Sequence, residues 1–150
     1  MKRLMFLATL LCVLCVSSIV QARQPYPEYW NGDRNFPLVY GRQGYANYLD
    51  KTSLVKQTLG DSRVKVAVII IDVNELGTDN YYNPNDDEVI ASSTVSFVYD
   101  EAEMKMFMGD GVSEIPRNVN GRVHAYGEAA YYFAYGKKFH GIFSDEFYTR

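Results

Sequence analysis

The sequence predicts a small α+β domain: an antiparallel β-sheet with a C-terminal helix packed on one face. Three segments carry this expectation. Val64 to Val73, VKVAVIIIDV, is a β-branched run with apolar residues on both faces, as in a central strand covered on both sides. Val89 to Tyr99 alternates, with Val89, Ala91, Ser93, Val95, Phe97 and Tyr99 on one face and Ser92, Thr94 and Ser96 on the other. Tyr126 to Tyr135 sets Ala129, Ala130, Phe133 and Ala134 in a helical stripe.

Residues 1–22 read as a cleaved secretory signal. Lys2 and Arg3 precede an apolar run from Leu4 to Val20, and Val20-Gln21-Ala22 suits a cut after Ala22. The competing reading is a retained anchor, for which the run is near the lower limit of about 17 residues. Cys12 and Cys15 both lie in this segment, and Leu11 and Leu14 before them do not suit lipidation. The expected mature chain of 128 residues has no cysteine, hence no disulfide and no thiolate chemistry. The expected location is the periplasm, the cell surface or the medium, and the cleaved chain would not be an integral membrane protein.

Cleavage also changes the charge. The whole chain carries −3, and removal of Lys2 and Arg3 leaves 13 basic against 18 acidic residues, or −5. With a pI near 5.3 there is no basic balance for phosphates, so nucleic acid is not the expected partner. All 13 tyrosines, Trp30 and seven of the eight phenylalanines remain. Such content builds an aromatic core, and it also suits a contact surface.

Residues 23–37 form an irregular lead-in with three of the five prolines, whose Tyr26, Tyr29 and Trp30 are candidates to dock on the domain of residues 38–150. Leu38 to Tyr40 is a short strand, Gly41 to Gly44 a turn, and Tyr45 to Leu49 a second short strand. Asp50 to Ser53 then makes a polar bend, where Asp and Ser bond nearby backbone. Asn74 to Glu88 is a long polar, acidic loop. After Val89 to Tyr99, Asp100 to Glu103 turns the chain and Met104 to Met108 returns as a hairpin, a short helix over EAEMKMFM being the alternative. Gly109 to Gly111 is another turn, and Ile115 to Arg122 reads as loop. The helix is expected to end at Gly136, with Lys137 and Lys138 at its negative end. Three phenylalanines and a tyrosine in residues 139–150 should pack back on the body.

No catalytic motif emerges. His124 and His140 stand 16 positions apart, without a His-to-His metal spacing, so no metal ligand set and no cofactor are expected. Asp79, Asn83, Asn85, Asp86, Asp87 and Glu88 do not follow a calcium-loop pattern. Ser53, Ser92, Ser93, Ser96, Ser113 and Ser144 lack a nucleophile elbow, and Gly109-Asp110-Gly111 lacks the lysine of a phosphate cradle.

Tyr48-Leu49-Asp50-Lys51-Thr52-Ser53-Leu54, followed by a β-branched strand and a hairpin, resembles the surface-adhesin protein E-like domains of bacterial envelopes. There a Y-x-D-x-x-S segment precedes an antiparallel sheet packed against a helix, and the match spans Leu38 to Met108. This chain departs in lacking the cysteines common in that group and in its tyrosine-rich helix and FHGIF tail. The resemblance implies an envelope or adhesive role and transfers no individual residue.

The expected function is therefore a non-enzymatic exported domain that binds a protein or glycan partner at the envelope or surface. The candidate binding residues are Trp30, Tyr81 and Tyr82, since adjacent aromatics in a polar loop are poorly explained by burial. The alternatives are a small periplasmic hydrolase or calcium-dependent enzyme using the acidic loop 74–88, and a structural envelope component.

Overall fold

The computed structural model describes residues 26–42, 44–75, 87–118 and 121–150. Six strands, β1 (Leu38–Arg42), β2 (Tyr45–Thr58), β3 (Arg63–Glu75), β4 (Asp87–Asp100), β5 (Lys105–Met108) and β6 (Ser113–Ile115), precede helix α1 (Arg122–Tyr135) and a single turn, α2 (Asp145–Tyr148). The strands form one antiparallel sheet in chain order, β1 and β6 lying at its two ends. Helix α1 packs on one face, so the chain is α+β as its sequence predicts. No helix among the described residues is long and apolar enough to cross a membrane.

The central strand β3 is apolar on both faces because both are covered. Val66, Val68 and Ile70 meet Leu49, Phe97, Tyr99 and Met106 beneath α1 and the C-terminal tail. On the opposite face Ile71 and Val73 join Leu38, Ala46, Tyr48 and Tyr26, with Trp30 and Phe36 against them. Residues 26–37 thus form the second cover. Tyr26 is its anchor, lying flat on Gly41, where a Cβ would collide with the ring, while its hydroxyl accepts the Gly44 N–H at 2.9 Å. A side chain at position 41 would lift the lead-in off the sheet.

Two strands run further than the alternation suggests. β2 continues through the Asp50 bend to Thr58, because Asp50 opposes Ile69 while Val55 opposes Ala67, leaving extra residues bulged between them. The side chains complete the ladder there. Asp50 Oδ1 accepts the Thr52 N–H, and Ser53 Oγ accepts the Ile69 N–H at 2.8 Å while donating to the Asp50 carbonyl at 2.7 Å. In β4 the pairing slips by one residue between Ala91 and Val89, so strict alternation runs only from Ala91 to Tyr99.

The hairpin reading of residues 104–108 holds: β5 pairs with β4 after a turn in which Met104 takes φ 53° and Asp100 accepts the Glu103 N–H. The expected loop from Ile115 begins one residue later, because Ser113–Ile115 pairs with β5 as a strand the alternation does not reveal. Helix α1 begins at Arg122 and not at Tyr126, which moves Glu128 from its first turn to the middle of its buried face. Gly136 ends it in the left-handed region at φ 70°, its N–H on the Tyr132 carbonyl. Lys137 and Lys138 then pair with Glu101 and Asp145.

The aromatic residues concentrate where α1, the tail and β4 meet. Tyr99, Tyr131 and Phe139 lie with ring centroids 4.8 to 5.1 Å apart, tilted or edge-on. The Tyr99 hydroxyl donates to the Gly127 carbonyl at 2.7 Å, and that of Tyr131 to Glu101. Burial pushes both phenols up, Tyr99 well above its ordinary value and Tyr131 to about 12, where the hydrogen bond to Glu101 adds to the effect. An unfolded tyrosine loses its proton near pH 10, so the folded chain binds more protons between that value and 12. Stability contributed by these protonated phenols is complete below pH 10 and falls as pH rises through the folded values. Absorbance at high pH is expected to show the two phenolates appearing together with unfolding, not before it.

Candidate functional site

The C-terminal tail returns along α1 and is held there by Glu128, whose side chain is fully buried. One carboxylate oxygen, Oε1, accepts the His140 N–H at 2.6 Å. The other, Oε2, accepts the Tyr148 hydroxyl at 2.8 Å and the Gly141 N–H at 3.4 Å. Burial works to raise this carboxyl. The surrounding His124, Tyr148 and backbone N–H groups outweigh it and hold it below the usual carboxylate range.

His124 stands one helical turn before Glu128 on the same face, its Nε2 3.7 Å from Oε1. The tail brings His140 to the same point, with Nδ1 3.6 Å from Oε1 and 2.9 Å from His124 Nε2. Both histidines are buried. His140 Nε2 lies 3.0 Å from the Met104 carbonyl, which can only accept, so that nitrogen carries the proton. Burial pushes the His140 ring below its ordinary value, and a neutral ring then accepts at Nδ1 from His124 Nε2–H. The chain of bonds from His124 through His140 to Met104 therefore has a single direction.

This buried centre shapes a groove beside it. Phe143 packs edge-on to His124 at 6.0 Å and stacks on Phe147 at 4.4 Å. These two rings, with Arg150, form one wall of a groove of about 280 Å³, and Tyr26 with residues 38–41 of β1 forms the other. Arg150 also donates from Nη1 to the Leu38 carbonyl at 3.1 Å, tying the tail to the strand. On its outer side β1 has no strand partner among the described residues, but its start is occupied: the Tyr29–Pro37 bridge lies there, the Leu38 N–H donates to the Glu28 carbonyl at 2.9 Å and Arg150 takes the Leu38 carbonyl.

Of the residues singled out from the sequence, Trp30 is half-buried against the lead-in cluster. Its ring meets Phe36 at 5.5 Å edge-on, and its buried Nε1 has no hydrogen-bond partner among the described residues. Tyr81 and Tyr82, with Asp79, Asn83, Asn85 and Asp86 of the acidic loop, lie outside the described residues. The structure does not place Trp30 in the groove. Spacing between the histidines does not reveal the cluster of His124, Glu128 and His140, because its third member is a carboxylate. The readable signal was His124-x-x-x-Glu128 at helical spacing. Comparison of the chain with family models, with curated proteins and with solved structures found no match.

Proposed function

We propose that this chain is an exported, non-enzymatic domain of the cell envelope or surface, and that it binds a partner protein through the groove beside β1. The observation that carries the reading is the pairing of a strand edge without a strand partner beyond Leu38 with an aromatic wall. An extended segment laid along β1 would gain main-chain hydrogen bonds, and its alternate side chains would meet Phe143, Phe147 and Tyr26. The signal-like residues 1–22 and the likeness to surface-adhesin protein E-like domains favour the same reading. The tail that forms the wall is fixed by buried hydrogen bonds, so the groove is formed in advance and little ordering cost falls on binding.

The test uses intact producing cells. A photo-crosslinking residue replaces Tyr40, half-buried in the groove, or Thr58, exposed at the far end of β2. The expected result is export of the chain and a discrete envelope adduct from position 40 alone. Retention in the cytosol would overturn export, and equal adducts from both positions would overturn the groove.

A further inference from the structure

We propose that His124, Glu128 and His140 form a closed site for one divalent ion of the zinc class, with His124 Nε2, His140 Nδ1 and Glu128 Oε1 as its ligands. The three atoms form a triangle with sides of 2.9, 3.6 and 3.7 Å. Ligands on a tetrahedral zinc ion, at about 2.0 to 2.2 Å from it, stand about 3.4 Å from one another. The point equidistant from the three atoms lies about 2.0 Å from each, within the range of zinc–ligand distances. Two edges, 3.6 and 3.7 Å, suit a shared ion as they stand, and the third, the 2.9 Å hydrogen bond between the rings, opens by about 0.5 Å when the ion takes its place.

The surroundings match what a metal site needs beyond its ligands. His140 Nε2–H is bound to the Met104 carbonyl, which orients the ring and leaves Nδ1 as the coordinating atom. The Oε2 of Glu128 is held by the Tyr148 hydroxyl at 2.8 Å, so Oε1 stays aimed at the two rings. Nitrogen and carboxylate donors without sulfur suit zinc among the biological divalent ions, and two imidazoles exclude calcium and magnesium. As the ion enters, the proton on His124 Nε2 moves to Nδ1 of the same ring.

The His124 and Glu128 side chains are 0% exposed and that of His140 is 1% exposed, so the site is structural, with no open face for substrate. Its effect is to clamp the tail to α1, and this holds whether or not the groove takes a partner.

The experiment uses tag-free full chain unfolded in urea with chelator, then refolded with or without one equivalent of Zn²⁺ or Co²⁺. Retention of about one zinc after desalting is expected, with a melting temperature higher by roughly 5–10 °C. Co²⁺ should give a visible band more intense than that of the octahedral hydrated ion, as expected at a site of low coordination number. His124→Gln should weaken Zn²⁺ binding by about 100-fold or more, and Tyr148→Phe, which changes no ligand, by about 10-fold. Histidine nitrogen NMR of the unaltered chain needs no variant to fold: Zn²⁺ should shift His124 Nε2 and His140 Nδ1. No retained metal, unmoved ring nitrogens, or equal affinity in a folded His124→Gln variant would each overturn the proposal.

Discussion

Glu128→Ala is expected to cost about 3–5 kcal/mol in chelator-treated protein, because it leaves buried donors without their acceptor. The His140 N–H, the Gly141 N–H and the Tyr148 hydroxyl all end on this one carboxylate. An orphaned buried donor costs about 1–3 kcal/mol, so even partial relief by entering water leaves a large loss. Glu128→Gln keeps the shape and one carbonyl acceptor, and its cost should be nearer 1–2 kcal/mol. Urea unfolding gives the two magnitudes. Amide exchange locates them, since protection should fall first in residues 139–148. A cost below about 1 kcal/mol for the alanine variant would mean that the tail is held by its aromatic contacts alone.

Gly127→Ala is expected to destabilise the chain by about 1–3 kcal/mol, against the direction of helix propensity. Alanine in a helix interior gains about 1 kcal/mol over glycine. Here the added methyl would stand inside the Met106 sulfur, with Met106 Cε at 3.1 Å and Phe97 Cδ1 at 3.2 Å. Met106 is fully buried and has little free space into which to swing. Met106→Ala alone leaves a cavity and should cost about 2–5 kcal/mol. The double variant fills that cavity with the new methyl, so its loss should fall short of the summed losses by about 1 kcal/mol or more. A Gly127→Ala chain as stable as the parent would show that propensity, not packing, governs this position.

The legible parts of the fold are those where local chemistry and burial agree. Val64 to Val73 is β-branched on both faces and is covered on both, by α1 and by residues 26–37. Gly136 ends α1 where glycine's freedom at positive φ is needed. Alternation loses β2 at Asp50, because the bulged residues break the period of two and Ser53 stands in for a backbone partner. The start of α1 is lost for a different reason. Arg122 to Ala125 has no apolar stripe, and its turn is fixed by burying His124, a polar residue that meets Glu128 one turn on and His140 from the tail.

The buried centre was half legible. The spacing of His124 and Glu128 is present in the sequence, while the approach of His140 depends on the path of the tail after Gly136. No local pattern encodes that path. The groove is less legible still, since its two walls come from residues 26–41 and 143–150 and meet only through the packing on β1.

The order of the sheet has a consequence for the time course of folding. Each strand pairs with the next one along the chain, so the meander closes through short connections and meets its partners as soon as they are made. The Arg150 bond to Leu38 spans 112 positions, and the tail's other contacts reach back to Glu128 and Met104. Closure of the tail is thus expected as the late step, separable from assembly of the sheet. A chain that has completed β6 but not Phe139 already has its strand pairing, with one face of the sheet and the flank of β1 still open to other contacts.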